Sequence, residues 1–472
     1  MNLSITSSIF LFFFSRFRNK DTVAAENNIL TMSEEPIPNE IMEVAFASVG
    51  MMGHFKPLIP FIRDVHRRGH KVTVFLDKNP KYEQELAKEG VTRGDNVDIV
   101  AVDLKTMEEL QETGGGGMIG YGGPLALISQ ELYPSITSYY KHTTPDVLVH
   151  GFFATAAADA ADFMKVPAVT VCPNPLTYDW YPTPDKRSVW HHMKAFGFNR
   201  ILFKSFLMKT FKFLRNKERK ARNLPMLKRQ DVFPNSAQQR HVISTTGDGF
   251  EFIQDRSKLL HLVGPSAPAT PESLGDDLRN WLDDQQKPVV YVAFGTAYEF
   301  DENTLSNLSS EIMNISNNVS ILWSLPAVQQ RLLPPDFPKL DNWRFETFVP
   351  QWSVLQHPNV KMFVTHCGSN SVYESLLNEV PMIACPTGRD QFANGARINA
   401  AGVGLVVKNG ANGNVAETIM DINKNLSTYE MAARCVKEKF GTQGGAKKGG
   451  DIIELAARQG YKELGKVEPL NL

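Results

Sequence analysis

Residues 348–391 read FVPQWSVLQHPNVKMFVTHCGSNSVYESLLNEVPMIACPTGRDQ, and the layout of this stretch decides the fold. Lys361–Thr365 is a short apolar run of the kind that forms a buried strand, His366–Ser371 is a compact polar turn, and Val372–Leu377 carries helical spacing. A turn that leads from a strand into a helix presents unpaired backbone N–H groups and the positive end of the helix dipole, which suits a phosphate. Ser371 with Glu374 three residues later also fits a capping box, which would make Glu374 a purely structural residue. A cap alone leaves unexplained His366, the Pro350-Gln351 pair before it and the Asp390-Gln391 pair after it.

A second informative stretch lies near the start. Glu43–Val49 is a strand-length apolar run, Gly50–Gly53 a turn, and Lys56–Val65 the start of a helix with Pro57 at a tolerated early position. His54 is therefore expected in the loop just before that helix. The helix dipole there lowers an imidazole pKa and keeps the ring neutral, as a general base must be. The plainer reading is a loop histidine bonded to its neighbours.

Strand-length apolar runs alternate with helical patterns along the whole chain, which predicts parallel sheets built from βαβ units. The candidates are 43–49, 71–76, 98–103, 146–149 and 168–172 in the first half, and 289–294, 320–324, 361–365, 382–385 and 404–407 in the second. Between them Val263–Asp284 is rich in Pro, Ser and acidic residues and reads as a linker.

The 348–391 run resembles the nucleotide-sugar signature of the UDP-glycosyltransferase family. It carries Phe348-Val349-Pro350-Gln351, His357, His366-Cys367-Gly368-Ser369-Asn370-Ser371, Glu374, Glu379-Val380-Pro381 and Asp390-Gln391 with the family's spacing. The stretch from Gly53 to Phe75 resembles the family's first strand–helix–strand, and Val289–Thr296 its diphosphate loop. The resemblance implies an α/β protein of the GT-B class, with two Rossmann-like domains whose parallel sheets face across a cleft. Residues 41–265 would bind the acceptor, 266–448 would bind the UDP-sugar, and a last helix within 449–472 would return to the first domain.

The same resemblance implies roles. His54 would take the proton of an acceptor hydroxyl, whose oxygen displaces UDP from the anomeric carbon with inversion. His366, Gly368 and the N–H groups of Thr296, Asn370 and Ser371 would cradle the diphosphate, and Glu374 would accept from the ribose hydroxyls. Phe348 and Gln351 would hold the base, and Asp390 and Gln391 the donor sugar, glucose before other hexoses. No cofactor or metal is implied beyond the UDP-sugar co-substrate, and the chain has no D-x-D and no Cys/His cluster with zinc spacing. Phe348 stands where the family usually has Trp, and Ser369 where plant members have Trp. The weightiest departure is Gly151, at the position of the Asp that orients the catalytic His. In other His–Asp pairs disrupting that partner costs up to ~10⁴-fold. His150 or Asp159 could substitute, His54 could act alone on an acidic acceptor such as a phenol, or the chain could bind UDP-sugar with little or no transfer.

Composition sets the outer limits. With 472 residues there is room for two α/β domains, and a formal net charge of −1 gives no basic surface for nucleic acid. A dinucleotide oxidoreductase, the nearest rival within the fold class, should show G-x-G-x-x-G after the first strand; only Gly50 and Gly53 are present, and Gly114–Gly117 leads into no helix start. Cys172, Cys367, Cys385 and Cys435 are scattered and read as reduced. Residues 1–40 read as a disordered extension whose apolar run at 8–14 is too short to span a bilayer. A cytoplasmic monomer is expected, with membrane association through that run as the other reading.

The acceptor is foreshadowed only by residues 176–222, which are aromatic and basic and include Trp180, Tyr181, Trp190, Phe196 and Phe198. Within them Leu202, Phe203, Phe206, Leu207, Phe213 and Leu214 share one helical face, with Lys204, Lys209 and Lys212 opposite. That pattern fits a helix packed on its domain, a cover for a small lipophilic acceptor, or peripheral membrane contact through 200–216.

Overall fold

The computed structural model describes residues 40–94, 96–105, 109, 127–173, 198–227, 240–251, 258–295, 298–333, 340–388 and 390–462, with the side chains of 198–208 and 210 excepted. The N-terminal extension, the Gly114–Gly117 run, the aromatic stretch 174–197 and Thr296 all lie outside the described residues.

Among the described residues thirteen strands form two sheets. The first contains β1 (Glu43–Ala47), β2 (Lys71–Asp77), β3 (Val97–Val102), β4 (Val147–Gly151), β5 (Ala168–Cys172), β6 (Val242–Ser244) and β7 (Leu260–Leu262), in the order β3-β2-β1-β4-β5-β6-β7. The second contains β8 (Val289–Ala293), β9 (Ser320–Ser324), β10 (Trp343–Glu346), β11 (Val360–Thr365), β12 (Met382–Ala384) and β13 (Gly404–Val406), in the order β10-β9-β8-β11-β12-β13. Every strand pair is parallel. The central strands are valine-rich and buried on both faces, as a helix-covered parallel sheet requires.

The helices that bear on the site are α1 (Met52–Phe55), followed by a 3₁₀ turn (Lys56–Leu58), α2 (Ile59–Arg67), α3 (Thr155–Met164), α4 (Phe198–Ala221), α5 (Asp276–Asp283), α6 (Gln351–Gln356), α7 (Ser369–Leu377), α8 (Gln391–Ala400) and α9 (Gly445–Gln459). Phe55, Leu58, Phe61, Ile62 and Val65 from the α1–α2 run pack under the first sheet, joined by Ile452, Ile453 and Ala456 of α9. Gly449 permits that docking, because a Cβ there would meet the Phe61 ring at 2.2 Å. Among the described residues no helix is long and apolar enough to cross a membrane.

Order reverses between β1 and β4 in the first sheet and between β8 and β11 in the second, since β1 and β8 each have a neighbour on both sides. Ligands in open parallel sheets bind outside the carboxyl ends of strands at such switch points. The two switch points approach one another. Asn370 of α7 donates to the Gly53 carbonyl of α1 at 3.3 Å, and the Tyr373 hydroxyl donates to the Pro173 carbonyl beyond β5 at 2.8 Å.

Several expectations need correction. β6, β7 and β10 escape the apolar-run criterion because they are only three or four residues long and include polar residues (Ser244, His261, Arg344). The second half of the expected linker is helix α5, whose Leu278 and Leu282 join the core under the second sheet. The N-terminal helix starts at Met52 rather than Lys56, so His54 lies in the first turn and not in a preceding loop.

The expected apolar face of 200–216 also fails over its described part. Phe213 is 68% exposed, and the buried stripe of α4 is Phe211, Arg215, Asn216 and Arg219. Those arginines meet aspartates of α3: Arg215 and Arg219 reach Asp159 at 2.7 and 2.5 Å, Arg219 reaches Asp162 at 2.9 Å, and Arg222 reaches Asp159 at 3.1 Å. The helix is therefore fixed by buried ion pairs, in which losing one partner strands the other's charge. Asp159→Ala should cost about 3 kcal/mol or more for that reason. The check is the urea unfolding midpoint, and a variant as stable as the parent would show that the cluster tolerates the loss.

Candidate functional site

The site grows from the carboxyl end of β11. Thr365 is followed by His366, then by Cys367 in the left-handed region (φ 68°), then by Gly368, whose extended backbone caps α7. The Thr365 hydroxyl accepts from the Cys367 N–H at 3.2 Å and so holds the turn. The N-cap residue, Gly368, has no side chain to cap α7, a helix opening of the kind that suits an anion. The helix begins at Ser369, so the expected capping box does not form: Ser371 and Glu374 lie inside the helix rather than at its start.

His366 is wedged between two glycines. A Cβ on Gly295, just beyond β8 and itself left-handed at φ 75°, would come within 2.8 Å of the imidazole; a Cβ on Gly368 would come within 2.6 Å. Burial pushes the His366 pKa down to about 4, so the ring is neutral at pH 7. Its Nδ1 is buried and finds no hydrogen-bond partner among the described residues. A neutral ring at the mouth of an uncapped helix, with one nitrogen unsatisfied, fits a ligand that completes its bonding.

Glu374 is organised by its neighbours. The Tyr291 hydroxyl donates to Gln351 Oε1 at 3.4 Å, which orients the amide so that its Nε2 donates to Glu374 Oε2 at 2.7 Å and Ser371 Oγ at 3.2 Å. Burial raises the Glu374 pKa, while the charge of Lys56 and the Gln351 bond work against that rise. Phe348, at the entrance to α6, is 67% exposed and presents an open aromatic face. His357, also within the run, is a packing residue bonded to Asp283 at 3.1 Å.

Asp390 and Gln391 stand at the head of α8. Ser369 Oγ donates to Asp390 Oδ2 at 3.0 Å, and Asn394 Nδ2 approaches the same oxygen at 3.4 Å. Gln391 Oε1 accepts from Thr387 N, Thr387 Oγ1 and Gly388 N at 2.9, 2.7 and 3.0 Å. Those three donors commit the amide oxygen and leave the Gln391 NH₂ as the group offered outward. Ser369, Asn394, Tyr291 and Lys56 were not among the expected site residues. The four-residue spacing of Asp390 and Asn394 was the only trace of the network in the sequence.

On the facing sheet, His54 is half-buried with its ring edge-on to Phe153, centroids 4.7 Å apart. Gly151, at the end of β4, lies beside it: a Cβ there would sit 3.6 Å from the His54 carbonyl oxygen and 3.4 Å from Leu58 Cδ1, both ordinary contacts. Neither expected substitute for a carboxylate at Gly151 is on offer. His150 is fully buried, bonded to the Gly151 carbonyl and to Thr170, with its pKa pushed down to about 3. Asp159 is spent on the arginines of α4.

The depressed histidines set a pH dependence of stability. An unfolded imidazole titrates near 6.5, folded His366 and His261 near 4, and folded His150 near 3. Above pH 6.5 neither state carries these protons and stability is complete; as pH falls towards 4, only the unfolded chain takes them up and stability is lost. His366→Asn should make this decline shallower. Comparing urea midpoints of the variant and the parent at pH 7 and pH 5 tests it, and equally steep declines would show that His366 is not desolvated.

Residues 259–423 match the family model described as UDP-glucoronosyl and UDP-glucosyl transferase. The chain is 25% identical over 305 residues to UDP-glycosyltransferase FPY2 of Fusarium mangiferae, covering 58% of this chain and 55% of the relative. It is 34% identical over 151 residues to the flavonol 3-O-glucosyltransferase F3GT2 of Actinidia chinensis var. chinensis, covering 30% and 32%. The chain thus spans about half or less of the length of these curated relatives. Among solved structures, the glycotransferase of kitacinnamycin aligns with a TM-score of 0.69 at 16% identity, over 89% of this chain and 100% of that one. The UDP-glucose: anthocyanidin 3-O-glucosyltransferase in complex with UDP aligns with a TM-score of 0.65 at 19% identity, over the same shares. These likenesses establish the two-sheet GT-B fold. With that fold and the arrangement around His366 and Glu374, the matched segment 259–423 is similar to the UDP-glucoronosyl and UDP-glucosyl transferase family.

Proposed function

We propose that this protein is an inverting glycosyltransferase that moves a hexose, glucose first among the candidates, from a UDP-sugar to a hydroxyl of a small lipophilic acceptor. The observation that carries the reading is the head of α7: an uncapped helix N-terminus, a neutral His366 with an unsatisfied buried nitrogen, and Glu374 held in place by Gln351.

In this mechanism the α7 N–H groups and His366 bind the diphosphate, preorganised for the charge that grows on it as the sugar leaves. Glu374 accepts from the ribose hydroxyls, Phe348 lends its exposed face to the base, and Gln351 serves chiefly as the brace of Glu374. Asp390, oriented by Ser369, and the NH₂ of Gln391 address the sugar hydroxyls. Thr296 would add an N–H from the loop after β8. His54 takes the acceptor proton as the acceptor oxygen bonds to the anomeric carbon; the bond from that carbon to the phosphate oxygen breaks, and UDP departs with the electron pair. No cofactor takes part in this scheme.

Gly151 favours a second reading, a UDP-sugar-binding protein with weak or no transfer, since no carboxylate stands at that position behind His54. One experiment separates the two: acceptor-dependent UDP release from UDP-glucose across phenols, sterols and hydroxylated lipids. Turnover should fall by ~10² or more in His54→Ala, while UDP affinity stays within about twofold of the parent, a change below the ~1.4 kcal/mol that a tenfold shift represents. Release that is unaffected by the loss of His54 would remove it as the base, and no release with UDP still bound would favour the binding protein.

A Cβ at Gly151 would meet only ordinary contacts, and Gly151→Asp is expected to raise kcat by about tenfold or more, a part of the ~10⁴ that such a partner can supply. Steady-state kinetics on the best acceptor decide it. An unchanged or lower kcat would mean that His54 is oriented by other means.

A further inference from the structure

We propose that Lys56 is a donor-binding residue, whose ammonium meets the diphosphate of the nucleotide sugar from the side of the cleft opposite α7. This deepens the function proposed above and rests on it. Nothing in the family signature along residues 348–391 calls for a lysine here, and the residue belongs to the other sheet's helical run.

Geometry brings Lys56 to the site. The Asn370–Gly53 hydrogen bond pins the first turn of α1 onto the head of α7. Lys56 lies three residues beyond Gly53, and Glu374 four residues beyond Asn370, so each is one helical turn from the pinned pair. Pro57 and Leu58 turn into the core while Lys56 remains exposed. The two charges sense one another: the Lys56 charge opposes the rise that burial imposes on the Glu374 carboxyl.

The charge balance gives this placement its meaning. A nucleoside diphosphate brings several negative charges to a cradle in which His366 is neutral and Glu374 and Asp390 are acidic. Backbone N–H dipoles can share that load, but an ammonium on the facing turn brings a full opposite charge. The plain alternative is a solvated surface lysine that merely tunes Glu374.

Binding of uridine, UMP and UDP to the full chain separates these roles. Lys56→Gln should weaken UDP about tenfold, in the range of a hydrogen bond to a charged group, while uridine changes less than about twofold. Lys56→Arg should recover most of the UDP affinity. The weakening of UDP binding between about 0.05 and 0.5 M NaCl should be smaller in Lys56→Gln than in the parent, because a screened contact has been removed. UDP affinity unchanged in Lys56→Gln, or equal losses for uridine and UDP, would overturn the proposal. If the parent chain itself failed to bind UDP, the function proposed above would fall first, an outcome distinct from failure at Lys56 alone.

Discussion

The site depends on how closely two strand-to-helix turns approach at the switch point of the second sheet. Gly295 after β8 and Gly368 after β11 leave a slot that an imidazole fills and that a methyl group on either glycine would close. From that fit follow the burial and neutrality of His366, the extended backbone that opens α7 without a cap, and the alignment of Glu374 one turn further on. Glycine is needed at 295 for a second reason, because its backbone is left-handed.

Around that slot, polar side chains are fixed mainly by one another. Tyr291 orients Gln351, Gln351 holds Glu374, and Ser369 with Asn394 holds Asp390. Such chains keep a site in shape before any ligand arrives, so that less ordering is left to be done on binding. The first sheet uses a costlier device. Its α4 is held to α3 by arginines that have left water, a workable arrangement only while Asp159 and Asp162 remain opposite them.

The central strands and the His366 turn were legible in sequence because doubly buried strands are unbroken apolar runs and because the residues of that turn are local to one another. The short strands β6, β7 and β10 were not, since three or four residues with polar members carry no periodicity worth the name. Nor was the burial of Arg215 and Arg219: helical spacing marks the apolar face, and a stripe held by charges inverts that rule. Partnerships between distant elements, such as Asn370 with Gly53 or Ser369 with Asp390, leave no local pattern at all. The fold was thus within reach of the sequence, whereas the network that orients the candidate site residues needed coordinates.

Gly151 has a consequence for how such a chain changes over generations. Any glycine codon becomes an acidic codon by a single base change. At this position the backbone lies outside the left-handed region and a Cβ would meet only ordinary contacts. An acidic residue beside His54 is therefore genetically near, and the backbone there admits it.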